Sequence, residues 1–462
     1  MSWNLIEEAK KIIGIRSLTN EGTRALAEHL VPLCRQAGLQ ITLRPPSKPT
    51  GFDELNLIAH TVPDGSEDLC PNGLLMVTHL DTVPAGDPAL WTETSGKPFQ
   101  ATIKGDKIYG LGSADTKLDF LCKLKAIEEV GVKNIKIPLC LVGSYGEERA
   151  LAGIKELRLS GRVKPRFALI GEPSELKPVL KHKGILYMQA CFDLKGGWLG
   201  SGARPRATGE HGWAEPETGP ALVKTNIFHG RAAHGSTPHL GENAIFKAFE
   251  WLFEEQKKNP LIQLAEINGG TVHNIVPETC MLKTTSGEKP CPRIEFLKTF
   301  WGLYQTAQER LGENTDSLFD PPITTGNVGV LKTKEDRIEM EFDFRLIPAT
   351  NGNELFEIFQ KISHLSGASL EVISSNPPMD TSERSEIVRH VSSSLKEIGL
   401  PVEFHAKAGN TEGAIVSQMG AEAIVIGPGR STGNIHKPNE SNEISQLKKA
   451  VEFYGVLLRR FC

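Results

Sequence analysis

The residues with the clearest chemical potential are a histidine and an aspartate two positions apart, in Leu74-Leu-Met-Val-Thr-His-Leu-Asp-Thr-Val-Pro84. The apolar run 74–77 predicts a buried strand that delivers His79 and Asp81 just past its end. Side chains two residues apart on extended backbone project to the same side. This spacing favours a metal-ligating His79 whose ring Asp81 orients and makes more basic. Taken alone, such a pair is more often an ordinary polar contact at the surface.

Asp115 is a second candidate, in Lys107-Ile-Tyr-Gly-Leu-Gly-Ser-Ala-Asp-Thr-Lys117. The glycines suit backbone that passes close to another group, and Asp115 stands at the start of a predicted helix with an apolar face. The alternative is that Ser113 or Asp115 is merely the N-cap of that helix.

Three glutamates also follow apolar strand candidates. Glu147 and Glu148 come directly after the predicted strand 137–143, and Glu172 comes after the predicted strand 167–170. Adjacent glutamates at the end of a buried strand indicate a cation or a proton-transfer task, with one residue as ligand and the other as base. A solvated acidic helix start is the open alternative.

The elements that position these residues predict an α/β fold. Helix-period patterns cover residues 5–15 and 23–37, and short strand candidates alternate with Pro and Gly clusters. Four strands or strand–helix junctions end in a His or a carboxylate, and ligands bind at the carboxyl ends of strands in open α/β sheets. We therefore expect these side chains to form one site.

Composition narrows the class of protein. A chain of 462 residues predicts two domains, and a net charge of -4 with scattered Lys and Arg argues against nucleic-acid and membrane partners. The eight cysteines form no Cys-x-x-Cys pair, and the start shows no basic region followed by an apolar core. These features predict a cytoplasmic protein with small-molecule or peptide ligands.

Six motifs together resemble one family, the co-catalytic zinc amidohydrolases and peptidases that include acetylornithine deacetylase, succinyl-diaminopimelate desuccinylase, aminoacylase, carnosine dipeptidase and glutamate carboxypeptidase. They stand in the family's order and span nearly the whole chain. The motifs are Thr78-His-Leu-Asp-Thr-Val-Pro84, Gly110-Leu-Gly-Ser-Ala-Asp-Thr-Lys117, Gly146-Glu-Glu148, Gly171-Glu-Pro-Ser174, Gly230-Arg-Ala-Ala-His-Gly-Ser-Thr-Pro-His-Leu-Gly-Glu-Asn-Ala-Ile245 and Ile435-His-Lys-Pro-Asn-Glu440.

The resemblance implies a site for two divalent metal ions. His79 and Glu172 would complete one metal site. Glu148 and His436 would complete the other, and Asp115 would bridge the two ions. Ligand atoms of N and O type suit Zn, with Co or Mn as alternatives.

The resemblance also implies the catalytic residues of the first domain. Glu147 would be the general base, and Asp81 would orient His79 without touching the metal. Gly409 would contribute to substrate binding, because Ala408-Gly-Asn-Thr-Glu-Gly413 resembles the Gly-rich turn that precedes a short helix beside the substrate.

Residues 183–375 differ in pattern, with alternating strand candidates, a helix candidate at 244–255 and no buried strand that ends in ligand residues. We predict a catalytic domain of residues 1–182 and 376–462, with a mixed, mostly parallel sheet flanked by helices, and an inserted α+β domain at 183–375. In the resembled family the inserted domain mediates dimerisation or lid closure, which implies a homodimer.

Three residues of the inserted domain match functional positions of that family. His234 would stabilise the tetrahedral oxyanion, in many members from the neighbouring subunit, although a structural loop histidine is the alternative. Asn274 and Arg345 would bind the α-carboxylate of the substrate. Pairing of Arg345 with Asp343 is the structural alternative.

The predicted function is a metal-dependent amidohydrolase that uses a metal-bound water to deacylate an N-acyl amino acid, of the acetylornithine or succinyl-diaminopimelate type. A dipeptidase or carboxypeptidase with the same metal centre is the enzymatic alternative. A non-catalytic binding or assembly relative is disfavoured, because no ligand and no base is missing. Two features depart from the resembled family: Leu118-Asp119 stands where Gly-Gly is frequent, and residues 196–220 form a long Gly- and Pro-rich stretch.

Overall fold

The computed structural model describes residues 3–63, 65–193, 223–335, 337–365 and 367–461. The chain divides into two units, the first formed by Met1–His182 with Met379–Cys462 and the second by Lys183–Pro378. The chain thus returns to the first unit at Met379, three residues later than the return predicted at 376. The stretch from Gly196 to Pro220 lies outside the described residues.

The first part of the first unit contains, in chain order, α1 (Leu5–Gly14), α2 (Arg24–Gln36), β1 (Gln40–Arg44), β2 (Asn56–His60), β3 (Leu74–His79), β4 (Thr102–Lys104), β5 (Lys107–Tyr109), α3 (Lys117–Val130), β6 (Leu139–Ser144), α4 (Ala152–Leu159), β7 (Phe167–Gly171) and β8 (Val179–His182). Short 3-10 helices lie at Pro88–Leu90, Thr92–Thr94 and Val132–Asn134.

The second unit contains, in chain order, β9 (Gly184–Asp193), β10 (Lys224–His229), a 3-10 helix (Pro238–Leu240), α5 (Ala244–Lys258), β11 (Ile262–Gly269), β12 (Thr279–Ser286), α6 (Pro292–Leu311), β13 (Thr325–Thr333), β14 (Arg337–Leu346), α7 (Gly352–Leu365) and β15 (Ala368–Asn376). The chain then completes the first unit with β16 (Met379–Asp380), α8 (Glu386–Glu397), β17 (His405–Lys407), α9 (Gly413–Ser417), β18 (Glu422–Val425), β19 (Ser441–Glu443) and α10 (Ile444–Arg459).

The main sheet of the first unit is mixed, as predicted. Its strand order is β1-β2-β6-β3-β7-β18-β8-β16, and β17 pairs with β8. The four central strands β6, β3, β7 and β18 are mutually parallel, whereas β1, β2, β8 and β16 join antiparallel at the two sides. A small separate sheet has the order β19-β5-β4.

Helices cover both faces of this sheet, because alternate strand residues enter two different cores. Met76 of β3 packs in the core that includes α1, α2, α3, α8 and α10. Leu75 and Val77 pack in a second core with α4 and α9. Strands buried on both faces read as continuous apolar runs, which is why β3, β6 and β7 were predictable from sequence.

The second unit is built on one seven-stranded antiparallel sheet of order β10-β12-β11-β13-β14-β9-β15. Alternate residues of its strands, such as Phe342 and Phe344 of β14, pack in a single core with α5, α6 and α7. A sheet whose one face carries the helices produces the alternating apolar pattern of this part of the sequence. The predicted α+β character of this unit is confirmed.

The start of one predicted strand was wrong. The strand predicted from residue 137 begins at Leu139, because Pro138 has no backbone N–H to contribute to a ladder. After the Glu147–Glu148 turn, α4 begins at Ala152, because Ala150 and Leu151 both adopt positive φ and form a turn first. Among the helices of the described ranges, none combines the length and the apolar composition that crossing a membrane requires.

Candidate active site

The central parallel strands of the first unit end at one edge of the sheet, and polar residues stand there. In the register of β3, His79 lies opposite Ser144 of β6 and Thr78 lies opposite Gly171 of β7. The Gly146-Glu-Glu148 turn follows β6, and Glu172 follows β7. Parallel pairing therefore brings these groups to the same carboxyl edge, where α/β sheets bind ligands.

Two histidines approach the carboxylates at this edge. Nε2 of His79 lies 3.0 Å from Oδ1 of Asp115 and 4.0 Å from Oε1 of Glu172. Nε2 of His436 lies 3.1 Å from Oδ2 of Asp115 and 2.9 Å from Oε1 of Glu148. Asp115 thus presents one oxygen to each histidine. The structure brings together all five residues that the resemblance assigns to metal binding.

The local backbone disfavours the alternatives for Asp115 and the two glutamates. The N-cap of α3 is Thr116, so neither Ser113 nor Asp115 serves as the cap of that helix. Glu147 and Glu148 precede the first residue of α4 by several positions and lie in a turn, so they are not an acidic helix start.

Asp81 makes contacts that differ from the prediction. Its backbone oxygen, which can only accept, lies 3.0 Å from Nδ1 of His79, so Nδ1 donates there. The Asp81 carboxylate is 3.7 Å from the same nitrogen and instead accepts the backbone N–H groups of Glu147 (3.0 Å) and Glu148 (3.2 Å). Asp81 therefore orients the His79 ring through its main chain and holds the Glu147–Glu148 turn through its side chain.

The carboxylates of the cluster favour positive charge at and between the two histidines. Hydrogen bonds to Asp115 and Glu148 raise the pKa of His436 to about 11. Burial lowers the pKa of His79, but the hydrogen bond to Asp115 and the charges of Glu147, Asp115 and Asp81 outweigh it and raise that pKa well above the usual value. Both histidines therefore stand among negative charges, and a cluster of this kind also favours a cation.

Glu147 lies beside these groups with a strongly perturbed carboxyl. Oxygens of Glu147 and Glu148 and a ring nitrogen of His79 all fall within 4.8 Å of one another. Burial raises the pKa of Glu147 well above its usual value, and the charges of Glu172, Glu148 and Glu412 add to this against the opposing charge of His79. The surplus of buried carboxylates and the N and O donor set both fit divalent cations.

Two residues of the cluster were missed by the sequence prediction. Nζ of Lys407, on β17, lies 2.8 Å from Oε2 of Glu172, although the two are 235 residues apart. Oε1 of Glu440 accepts the backbone N–H groups of Ala114 (2.8 Å) and Asp115 (3.0 Å). Glu440 stands inside a matching motif, which is a usable signal, whereas the sequence around Lys407 offers none.

His234 lies in the second unit, in the loop before α5. Its Nδ1 is 3.1 Å from the backbone N of Ser236 and 2.7 Å from the Ser236 hydroxyl. Because a backbone N–H can only donate, Nδ1 accepts and Nε2 carries the ring proton. A protonated Nε2 is the donor that oxyanion stabilisation needs, and the same contacts also suit a structural loop histidine.

The three predicted substrate-binding residues have different surroundings. Arg345 is buried in β14, with Nη2 and Nε at 2.8 and 3.1 Å from Oδ2 of Asp343, so the structural alternative for this residue is formed. The backbone oxygen of Asn274 accepts the N–H of Gly235 at 2.7 Å. Gly409 lies between β17 and α9 of the first unit, and a Cβ built on it would meet no atom within 4 Å.

The sequence matches a known family over most of its length. The family model of Peptidase family M20/M25/M40 matches residues 75–460. The chain belongs to this family. The matched range includes every residue of the cluster at the sheet edge.

Two curated relatives share the same name. The acetylornithine deacetylase of Photorhabdus laumondii is 35% identical over 167 residues, which cover 36% of this chain and 40% of that protein. The acetylornithine deacetylase of Yersinia pseudotuberculosis serotype O:1b is 24% identical over 459 residues, which cover 96% of this chain and 93% of that protein. The stronger identity is thus confined to less than half of the first relative.

The fold is shared with a solved structure. The aminoacylhistidine dipeptidase of Vibrio alginolyticus aligns with a TM-score of 0.68 at 16% identity and covers 99% of this chain and 96% of that chain. Membership of the M20 family makes the chain a metallohydrolase.

Proposed function

We propose that this chain removes the acyl group from an N-acyl amino acid, as the name acetylornithine deacetylase of its relatives suggests. The observation that supports the proposal is the position of Asp115 between two histidines. Its two oxygens face the ring nitrogens of His79 and His436 at 3.0 and 3.1 Å. A carboxylate in this position suits two ions that share it as a bridge.

The proposed ligands divide into two pairs around Asp115. His79 and Glu172 would hold one ion, and Glu148 and His436 would hold the other. Imidazole nitrogens and carboxylate oxygens suit Zn, with Co or Mn as alternatives. When bound, the two ions would lower the pKa of a water molecule and polarise the scissile carbonyl.

Glu147 is the proposed general base. The Asp81 carboxylate accepts the backbone N–H of Glu147, which fixes the turn so that this side chain lies beside the ligands. A raised carboxyl pKa suits a group that takes a proton from the attacking water and passes it to the leaving amine. Glu148, its neighbour, faces His436 instead and is left as a ligand.

The substrate class is tested by turnover of the zinc-loaded chain on a panel of N-acetyl and N-succinyl amino acids and of dipeptides. We expect kcat/KM to be highest for an N-acyl amino acid with a free α-carboxylate. Faster turnover of dipeptides would replace the deacylase proposal with a dipeptidase. No turnover of any compound on the panel would contradict both.

We also propose a homodimer in which His234 of one subunit serves the partner's active site. The neutral ring with its proton on Nε2 supports this role, and removing an oxyanion donor costs roughly a hundred- to a thousandfold in kcat. Mixing Glu147→Ala subunits with His234→Ala subunits should restore activity, because one site of each heterodimer combines an intact base with an intact histidine. Native mass spectrometry of the mixture checks that subunits exchange. An inactive mixture of exchanged subunits would show that His234 acts within its own chain.

A further inference from the structure

A closed polar network lies in the core behind the candidate site and takes no part in the proposed chemistry. Its centre is Asp119, on the first turn of α3, which is 2% exposed. Oδ2 of Asp119 accepts from the Thr78 hydroxyl at 2.7 Å and pairs with Nζ of Lys123 at 2.7 Å. Oδ1 accepts from the Tyr454 hydroxyl at 2.5 Å. We call Asp119, Lys123, Tyr454 and Thr78 the Asp119 network.

Every donor of the Asp119 network has a partner. Besides Asp119, Nζ of Lys123 donates to the backbone oxygen of Val77 at 2.7 Å and to the Thr78 hydroxyl at 2.9 Å, so its three protons are used. Burial, with the nearby charge of Asp119, raises the pKa of Tyr454 well above its usual value, so its hydroxyl keeps the proton that it donates. A fully satisfied buried network holds its members in one arrangement.

The network touches the ends of the two strands that carry His79 and Glu172. Thr78 directly precedes His79 in β3. Gly171 directly precedes Glu172 and passes over the Asp119 carboxylate so closely that a Cβ on it would lie 1.9 Å from Oδ2 and 2.7 Å from Nζ of Lys123. Only glycine fits there, because any side chain would displace the network.

The same network also reaches the third central strand. The Tyr454 hydroxyl lies 3.1 Å from the backbone oxygen of Ile426, at the end of β18, and a Cβ on Gly427 would lie 3.3 Å from Oδ1 of Asp119. By contrast, Glu148 and His436 follow β6 and β18 in the chain, and neither hydrogen bonds to the network in the ranges that the structure describes.

General stability is a weak explanation for such a group. Replacing a buried ion pair by apolar side chains of similar volume is often neutral or stabilising, so a buried pair by itself is weak evidence for a role in stability. Asp119 also stands where the resembled family frequently has glycine, so the network is a feature of this chain rather than a requirement of the fold.

We propose that Asp119 is a positioning residue that, through Thr78 and Gly171, fixes His79 and Glu172 for one of the two metal ions. This inference rests on the proposed two-ion site. It assigns the network to one side of the site, because Thr78 and Gly171 directly precede His79 and Glu172, whereas the contact of the network with β18, at Ile426, lies well before His436 in the chain. Loss of the network should therefore weaken binding of the ion held by His79 and Glu172 and leave binding of the ion held by Glu148 and His436 unchanged.

The test measures both metal affinities in the full chain. Metal-free wild type and variants are titrated with zinc in competition with a chromophoric chelator, which resolves two dissociation constants. Asp119→Asn combined with Lys123→Met removes both buried charges together and so avoids an unpaired lysine. We expect the ion held by His79 and Glu172 to bind ten- to a hundredfold more weakly and the ion held by Glu148 and His436 to bind as in wild type. Circular dichroism and thermal unfolding check that the variant is folded.

A milder variant keeps the test decisive if the double variant does not fold. Tyr454→Phe removes one hydroxyl from the network and should weaken the same ion roughly fivefold, the equivalent of one hydrogen bond. Its matched control is Tyr304→Phe in α6, which removes a buried hydroxyl that is 2.8 Å from Nε2 of Gln308 in the second unit. The control should leave both affinities unchanged.

The outcomes separate this inference from the proposed function. Wild-type affinity for both ions in the folded variants would overturn the positioning role, as would equal weakening of both ions, which indicates general loosening. A wild-type chain that binds fewer than two ions would contradict the proposed two-ion site itself.

Discussion

The two sides of the candidate metal cluster differ in how they are built. On one side the side chains of His79 and Glu172 are 1% and 7% exposed, and both residues stand at the ends of central strands. On the other side Glu148 is 10% exposed but His436 is 48% exposed, in the loop between β18 and β19. The buried side is supported by the sheet and the Asp119 network, whereas the exposed side depends on a loop.

The difference in burial predicts that the two sides contribute differently to the folding stability of the metal-free protein. When one member of a buried charged pair is removed, neither water nor protein compensates the charge of the remaining partner. When the pair is exposed, water rehydrates the remaining partner. The same reasoning predicts that the ion beside His436 exchanges with solvent more readily than the ion beside His79. Variants of matched residues on the two sides test this contrast.

The largest effect is expected where the two sides meet, at the adjacent glutamates. Glu147→Gln should lower kcat by about a hundred- to ten-thousandfold, because the amide cannot take up a proton. Its metal content, measured by atomic emission, should stay near two ions per chain as proposed for wild type. Glu148→Gln is the matched control and should lose metal as well as activity. A Glu147→Gln enzyme with most of its kcat would exclude Glu147 as the base.

The second effect separates the two histidines. His79→Ala and His436→Ala should both lower bound metal, but only the first removes a fully buried partner of Asp115. Without metal, His79→Ala should lower the free energy of unfolding by about 3 kcal/mol, and His436→Ala by a smaller amount, because water can enter the place of the half-exposed ring and rehydrate the carboxylates left there. Denaturant unfolding of the metal-free proteins measures the difference. Equal losses would show that burial does not distinguish the two sides.

The smallest effect is expected at Asp81. Asp81→Ala keeps the backbone oxygen that holds the His79 ring and removes the carboxylate that holds the Glu147–Glu148 turn. We expect a loss of roughly ten- to a hundredfold in kcat, with weaker loss of metal than in His79→Ala. Steady-state kinetics and metal titration of the same preparation give both numbers. Metal loss as severe as that of His79→Ala would mean that the side chain orients the ring after all.

Much of this arrangement could be predicted from the sequence because its signals are local. The buried strands β3, β6 and β7 appear as short apolar runs, and the polar residues that follow them lie within a few positions of each strand end. Contacts between distant segments gave no such signal. Lys407 and Glu172 are 235 residues apart, and nothing in either segment marks the pair.

The contacts of single residues could not be predicted from the sequence, because they depend on local geometry. Sequence spacing places Asp81 near His79 but does not tell whether the main chain or the side chain makes the contact, and the structure shows the main chain. Asp119 could be recognised in the sequence only as a departure from the resembled family. Its partners Thr78 and Tyr454 become visible only when strand and helices pack.

The sequence by itself determined the family, the positions of several buried strands along the chain and the identity of the polar residues at their ends, because apolar periodicity and short motifs are properties of contiguous residues. The tertiary structure alone decided which oxygen of Asp115 faces which histidine, which glutamate faces His436, and how deeply each side is buried. These features depend on the register of parallel strands and on packing between segments far apart in the chain. Both arise only when the sheet and its helices assemble together.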